Sequence, residues 1–164
     1  MVGEEVKTME KERFCEQIRA QETSMYRYAL GVLRNPADAE DAVGESVLKA
    51  YAHLDQLKDP GRFRPWVMSI VANVARTMLA QRNRLEYPGD MNQYEKSASP
   101  EQRELWYLVM ELPAEFRDAV ILYYYDGFRT REIAKILGIS EGTVKSRLNR
   151  ARKRLKTEWE GTYQ

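Results

Sequence analysis

Apolar side chains recur along most of the chain at the spacing of an α-helix. In residues 38–54 they return every three or four positions and fall within one sector, at roughly 100° per residue. This predicted apolar face carries Val43, Val47, Ala50, Tyr51 and Leu54. A further helix is predicted to begin near Pro65, and its apolar face carries Trp66, Val67, Ile70, Val71, Val74 and Met78. No alternation typical of β-strands extends over a useful length, so the pattern predicts an all-α protein.

Helical periodicity stops in residues 85–100, which read LEYPGDMNQYEKSASP and collect Pro, Gly, Asp, Asn and Ser. We therefore predict two small helical domains, residues 9–84 and 101–158, joined by a flexible linker over residues 85–100. Each domain would be close to the smallest size, about 60 residues, at which a core closes without covalent or metal cross-links.

Residues 120–125, VILYYY, have the β-branched and aromatic content of a strand. The flanking signals favour a helix instead. Pro113 suits the first turn of a helix, and Gly127 stands where a left-handed cap is expected. We predict that this stretch is helical.

Residues 130–156 read TREIAKILGISEGTVKSRLNRARKRLK, which fits a helix-turn-helix. Thr130 can cap the short first helix, and Gly138 permits the tight exit from it. Ser140 can cap the second helix. The predicted core face of that second helix carries Val144, Leu148, Ala151 and Leu155.

The opposite face of the second helix carries hydroxyl, amide and guanidinium groups, with no acidic residue between Gly142 and Lys156. Arg and Asn can contact guanine and adenine edges in the major groove, and flanking Lys and Arg suit phosphates. A merely solvated helix would more typically alternate its basic residues with Glu. The predicted DNA contacts are Gly142, Thr143, Lys145, Ser146, Arg147, Asn149, Arg150 and Lys153.

The formal charge of +1 hides blocks of alternating sign. Residues 61–85 carry five basic and no acidic side chains, and residues 129–156 carry ten basic and two acidic ones. Between them, residues 86–128 carry three basic and nine acidic side chains. Basic segments attract phosphate, so the pattern suits contact with nucleic acid at two separate places; solvated helix faces are the alternative explanation.

Nearly the whole chain resembles the extracytoplasmic-function (ECF) sigma factors of bacteria. Residues 112–156 resemble the family's fourth region, which docks on the polymerase flap and reads the minus 35 promoter element. Residues 39–59, AEDAVGESVLKAYAHLDQLKD, resemble the segment that binds the clamp helices of RNA polymerase. Residues 62–76, RFRPWVMSIVANVAR, resemble the segment that melts and reads the minus 10 element.

The resemblance implies a role for each group of residues. The second helix of the helix-turn-helix would read minus 35 duplex. Capture of unpaired minus 10 bases needs positive charge with planar or amide groups, which are supplied by Arg62, Phe63, Arg64, Asn73 and Arg76. Phe63 could equally be a core aromatic. The clamp would be contacted by Asp41, Glu45 and Leu48. Gly44 and Ser69 depart from the family's usual polar and basic residues.

We therefore expect a sigma factor that directs RNA polymerase to promoters, using minus 35 recognition and minus 10 melting. Its expected partners are core polymerase, promoter DNA and an anti-sigma factor, with no cofactor, metal or small-molecule substrate. A stand-alone helix-turn-helix regulator is the alternative, and it would bind duplex tightly without polymerase.

An enzyme is disfavoured, because His53 is the only histidine and no glycine-rich phosphate loop follows a strand. Cys15 is the only cysteine, so no intrachain disulfide can form. The chain shows no signal sequence and no apolar run long enough for a membrane span. We expect a cytoplasmic protein.

Overall fold

The computed structural model describes residues 2–82 and 98–162, with side chains from residue 11 onward. The helices are α1 (Val2–Leu33), α2 (Pro36–Ala52), α3 (Phe63–Gln81), α4 (Pro100–Glu111), α5 (Ala114–Val120), α6 (Thr130–Leu137) and α7 (Glu141–Thr162). Short 3-10 turns at Leu54–Gln56 and Pro60–Arg62 connect α2 to α3. No strand occurs in the described residues, so the all-α prediction is confirmed. Most of the predicted linker, residues 85–97, lies outside them.

Helices α1, α2 and α3 pack against one another and form the amino-terminal unit. Helix α2 begins two residues before the predicted start, because Asn35 caps it: the Asn35 Oδ1 accepts a hydrogen bond from the Asp38 amide at 3.0 Å. Its buried face consists of small residues, namely Ala39, Ala42, Ser46 and Ala50. This face is rotated from the predicted one, and α2 packs against both α1 and α3. Tyr51, which was placed on the predicted apolar face, is half exposed, and its ring lies beside that of Phe14.

Helix α3 begins at Phe63, two residues before the predicted Pro65. Its buried residues are Phe63, Val67, Met68, Val71, Ala72, Val74 and Ala75. The predicted apolar face is thus confirmed at its centre, whereas Trp66, Ile70 and Met78 are only partly buried at its margins. The helix contacts both α1 and α2, and α6 covers a further side.

Helices α4 to α7 form the carboxyl-terminal unit. A capping box opens α4: the Gln102 amide donates to Ser99 Oγ at 3.2 Å, and the Ser99 amide donates to Gln102 Oε1 at 2.9 Å. Pro100, which was assigned to the linker, is the first residue of this helix. On the core side, α4 buries Trp106, Val109 and Met110.

Helix α5 continues directly into a π-helical turn, Ile121–Tyr125. The helical prediction for residues 120–125 is therefore confirmed, and the wider turn is the part that the sequence did not predict. The Asp126 amide donates to the Ile121 carbonyl at 3.0 Å, which is the five-residue bond of a π turn. Gly127 then takes a φ of 72°, in the left-handed region, as expected.

The helix-turn-helix consists of α6 and α7. Gly138 ends α6 with a φ of 67°, a left-handed conformation that its lack of a Cβ allows. The Ser140 Oγ accepts a hydrogen bond from the Thr143 amide at 3.1 Å and caps α7, as predicted. The prediction for Thr130 was wrong. Arg129 holds the cap position, and the Thr130 hydroxyl donates across the turn to Glu141 Oε1 at 2.8 Å.

Candidate nucleic-acid interface

Helix α7 presents one apolar and one polar side. Val144, Leu148 and Ala151 are buried against α5 and α6, and Leu155 is partly buried. This arrangement confirms the predicted core face. The exposed side carries six of the predicted DNA contacts, namely Gly142, Lys145, Ser146, Asn149, Arg150 and Lys153. Their hydroxyl, amide and cationic groups are therefore available to an outside partner.

The first turn of α7 is held by contacts between Ser140 and Thr143. Thr143 is half buried, and its hydroxyl lies 2.7 Å from Ser140 Oγ. Gly142 is exposed, and an added Cβ would meet only Ser140 Oγ, at 4.0 Å, so this end is sterically open. The hydrogen bond from Thr130 and the charge of Lys145 hold the pKa of the Glu141 carboxyl below its usual range.

Two basic side chains of the predicted set are engaged within the carboxyl-terminal unit. Lys145 Nζ lies 3.7 Å from Glu141 Oε1 on the helix surface. Arg147 Nη2 lies 3.8 Å from Glu115 Oε2 of α5, and only 25% of the Arg147 side chain is exposed. This pair draws the Arg147 guanidinium toward α5, and its assignment to DNA stays a prediction.

The five residues assigned to the minus 10 element do not form one surface. Asn73 and Arg76 lie on α3 and Arg62 lies just before it, and all three are exposed. Arg62 Nε is 3.8 Å from Asp59 Oδ2, which leaves a weak surface ion pair. Asn73 thus offers an amide to solvent near the middle of α3.

Phe63, which the sequence left open between base stacking and the core, lies in the core. It is 4% exposed and packs edge-on against Phe14, with ring centroids 5.9 Å apart and planes at 82°. Trp66 adjoins the same cluster at 5.8 Å from Phe63. The burial of this ring favours the core role for Phe63.

Two family models match the chain: Sigma-70 region 2 over residues 18–85 and Sigma-70 region 4 over residues 102–155. SigL of Mycobacterium tuberculosis, an ECF RNA polymerase sigma factor, is 32% identical over 140 residues, covering 77% of each chain. The chain belongs to the ECF sigma factors. The probable sigma factor RfaY of Xanthomonas campestris is 30% identical over 155 residues; these cover 86% of this sigma factor but only 39% of RfaY.

The fold of this sigma factor is similar to that of RpoE from Bartonella quintana, which was solved in complex with the anti-sigma factor NepR. The TM-score is 0.81 at 24% identity, over 91% of this chain and 98% of that one. CnrH, solved with the cytosolic domain of CnrY, gives a TM-score of 0.68 at 22% identity, over 92% and 90% of the two chains.

The residues assigned to the polymerase clamp lie on the outer side of α2. Asp41 and Glu45 are exposed, and Leu48 is 73% exposed, which is high for an apolar side chain. Glu45 Oε1 lies 3.2 Å from Lys49 Nζ. Gly44 lies between them, and no atom of another described residue lies within 4 Å of an added Cβ there, so the face is open at that point.

Sequence reasoning missed a polar cluster between the two units of the sigma factor. Arg27 Nη1 of α1 lies 2.7 Å from Asp126 Oδ1, and it also donates to the Tyr125 carbonyl at 2.9 Å. Arg64, assigned to DNA, donates to the Asp126 carbonyl and to Gln21 Oε1. The charge blocks gave no signal for this cluster, because Arg27 lies outside residues 61–85 and Arg64 meets a backbone carbonyl.

The described part of the sigma factor holds no group of three or more His, Cys, Asp or Glu side chains placed to bind a metal ion. His53 caps the end of α2, and its Nδ1 lies 2.9 Å from the Lys49 carbonyl oxygen at the surface. Among the described residues no helix is long and apolar enough to cross a lipid bilayer.

Proposed function

We propose that this chain directs bacterial core RNA polymerase to promoters, with residues 101–158 on the minus 35 element and residues 9–84 on the minus 10 element and the clamp. The observation that carries the proposal is the exposure of Ser146, Asn149 and Arg150 opposite the buried strip of α7. A recognition helix in a major groove needs this arrangement: one face fixed to its domain and the other free for base edges.

Within the minus 35 duplex, Arg150 and Asn149 are the side chains with the right chemistry for base readout. A guanidinium can donate two hydrogen bonds to guanine, and a carboxamide can pair with adenine. Lys153, Lys145 and the hydroxyl of Ser146 suit phosphates, which position the helix and contribute a salt-dependent term. Gly142 lets the start of α7 approach the DNA backbone closely.

At the minus 10 element, we propose that Asn73, Arg62, Arg64 and Arg76 hold single-stranded DNA. An amide can bind the exposed edge of an unstacked base, and the arginines can neutralise the neighbouring phosphates. No bond is made or broken on this chain, since the enzyme is the polymerase. Binding energy instead offsets the cost of unstacking, which is a few kcal/mol per step.

The exposed face of α2 supports a docking role. An apolar Leu48 flanked by Asp41 and Glu45 is mixed in character, as protein interfaces are at their margins. We propose that this face binds the clamp helices and that an anti-sigma factor regulates the chain, as in the RpoE–NepR complex. A cytoplasmic location follows from binding to polymerase.

The test is transcription in vitro with core polymerase on genomic DNA from the organism that encodes the chain, followed by sequencing of the transcripts. Arg150→Ala should lower the yield from cognate promoters about tenfold or more, because a bidentate base contact contributes about 1–3 kcal/mol. Asn73→Ala should impair the melting step. The variant that combines Arg150→Ala with Asn73→Ala should be inactive.

Matched controls lie on the same helices outside the proposed surfaces. Lys156→Ala removes an exposed cation from α7, and Thr77→Ala removes an exposed polar group from α3. Both should retain near-normal yield. Activity that survives the Arg150 and Asn73 double change would refute the site assignments. If wild type gives no core-dependent transcripts but binds duplex tightly alone, the chain is a stand-alone regulator instead.

A further inference from the structure

Arg152 lies on the border between the buried and the exposed sides of α7. Leu148 stands four residues before it and is buried, whereas Asn149 stands three residues before it and is exposed. At about 100° per residue, these two positions flank Arg152 on either side. Arg152 is therefore placed at the edge of the face that is proposed to meet DNA, and not at its centre.

The side chain of Arg152 contacts the π turn. Arg152 Nη1 donates a hydrogen bond to the hydroxyl of Tyr124 at 3.0 Å. Tyr124 is half exposed, and the ring of Tyr123 packs edge-on against it, with the ring centroids 4.9 Å apart. Both tyrosines lie on the π turn Ile121–Tyr125, a kind of turn that is often found at functional sites. A hydrogen bond between residues 28 apart in sequence thus joins this turn to α7.

Apolar packing is incomplete beside this hydrogen bond. A groove of about 870 Å³ runs along the same border of α7. Its walls include Leu105 and Val109 of α4 and Leu155 of α7, and both Tyr124 and Arg152 line it as well. Because α7 is not closely packed against α4 at this groove, we expect the hydrogen bond to limit rotation of the helix on this side.

The opposite border of α7 is held by α5. The guanidinium carbon of Arg154 lies 5.6 Å from the centre of the Phe116 ring, and Phe116 is buried. Arg147 Nη2 lies 3.8 Å from Glu115 Oε2 on the same side of the helix. The exposed face of α7 lies between these two borders. Contacts on both borders therefore limit how far α7 can turn about its own axis.

We propose that Tyr124 and Arg152 are positioning residues for minus 35 recognition: their hydrogen bond sets the rotation of α7 at which Asn149 and Arg150 meet the base edges. This inference rests on the proposed function, because it concerns how α7 reads duplex. A bidentate contact with a base edge needs both atoms of the side chain in place, whereas a phosphate contact carries no sequence information. Loss of the bond therefore lowers discrimination between bases more than it lowers overall binding.

The experiment compares the same substitution at two neighbouring residues of the π turn. Tyr124→Phe removes the hydroxyl that accepts the hydrogen bond from Arg152 and keeps the ring. Tyr123→Phe removes a hydroxyl that forms no hydrogen bond within the described residues. Each variant is assayed with core polymerase on a cognate promoter and on the same promoter with one base pair of the minus 35 element changed. The measured quantity is the ratio of the two transcript yields.

Tyr124→Phe should lower this ratio about threefold, in line with the loss of one hydrogen bond, and Tyr123→Phe should match wild type. Arg152→Met removes the donor, keeps a long side chain and should lower the ratio by a similar factor. The variant that carries both Tyr124→Phe and Arg152→Met should fall no further, because both changes remove the same bond. A general loss of folded protein would instead lower both yields and leave their ratio unchanged.

An unchanged ratio in Tyr124→Phe would overturn the proposal. An equal fall of both yields in Arg152→Met would also overturn it, because Arg152 would then hold a phosphate and not the helix. Additive losses in the combined variant would contradict it as well, since the two residues would then act separately. Failure of the proposed function would look different: wild type would give no core-dependent transcripts, and the inference would fall with it.

Discussion

Helices α7 and α3, which are proposed to contact the two promoter elements, are presented differently by the free chain. The polar side of α7 is exposed along Ser146, Asn149 and Arg150. Helix α3 packs against α1, α2 and α6 and leaves Asn73 and Arg76 exposed. Duplex can meet α7 without breaking a contact, whereas capture of a strand by Arg64 or Arg76 breaks a hydrogen bond to the carboxyl-terminal unit. The comparison suggests an order of events in which duplex is engaged first.

The largest expected effect comes from truncating a buried side chain that packs α7 against its domain. Leu148 is 2% exposed, and Leu148→Ala should lower the free energy of unfolding by about 3 kcal/mol through lost burial and a cavity. Urea denaturation followed by circular dichroism measures the change. The matched control is Leu79→Ala on α3, where the side chain is 44% exposed and the cost should stay within about 0.5 kcal/mol. Equal losses would mean that α7 is not held as described.

A change of pH should alter the packing of the carboxyl-terminal unit on α3 and leave the exposed face of α7 unaffected. Burial raises the pKa of Asp126 to about 6 from an ordinary 3.8, against the opposing effects of Arg27, Ser24 and Arg64. Asp126 therefore binds a proton more tightly when the two units are packed together than when they are apart. The packing of the two units is stabilised as the pH falls through 6 toward 4 and does not change with pH above about pH 7.

The gain in closure from protonation of Asp126 is at most about 3 kcal/mol, since one pKa unit corresponds to about 1.4 kcal/mol. Energy transfer between dyes on Cys15 of α1 and on Glu158→Cys of α7 should rise on acidification, and Asp126→Asn should flatten that rise. Asp118 titrates in the same range, because burial raises its pKa to about 6 beside Arg117, Arg76 and Arg147. A rise of full size in Asp126→Asn would assign the effect to Asp118.

A smaller effect is expected from the caps of two helices. Ser140→Ala and Asn35→Ala each remove the side chain that accepts a hydrogen bond from the first turn of α7 or α2. Each should cost about 1 kcal/mol of unfolding free energy. Only Ser140→Ala should also weaken binding to minus 35 duplex, because Gly142 and Thr143 lie in the frayed turn. Fluorescence anisotropy titrations with duplex DNA measure the binding. A loss of affinity in Asn35→Ala would contradict the prediction.

The smallest effect concerns salt. Lys153→Ala should reduce the slope of log affinity against log salt for duplex by about one, since one phosphate contact is lost. Arg76→Ala, on the covered helix, should leave that slope unchanged in the free chain. Titrations of duplex at low ionic strength measure both. A matching reduction in Arg76→Ala would show that α3 already touches duplex, which would break the contrast between the helices.

The features that were predicted correctly depend on near neighbours in sequence. Gly138 and Gly127 take left-handed conformations because the chain must turn there, and Ser140 caps α7 because a hydroxyl stands just before the first turn. The buried strip of α7 follows from helical periodicity alone. Local geometry of this kind can be read without knowing what packs against the helix.

The features that were missed depend on partners distant in sequence. Arg27 and Asp126 are 99 residues apart, and nothing near either residue marks the pair. Arg147 has the chemistry of a phosphate contact, but the position of Glu115 on α5 decides where it points. Phe63 has the chemistry of a stacking ring, but Phe14 on α1 encloses it. Side-chain type sets what a residue can do, and tertiary packing selects among those options.

The π turn at Ile121–Tyr125 acts as a spacer of one residue between α5 and the helix-turn-helix. Deleting a residue there would restore ordinary helical winding and leave the flanking segments close to their present register, because a π turn absorbs one residue more than the same span of α-helix. The extra residue of this turn therefore sets where the chain leaves α5 for the helix-turn-helix, and it places Asp126 beside Arg27 of α1.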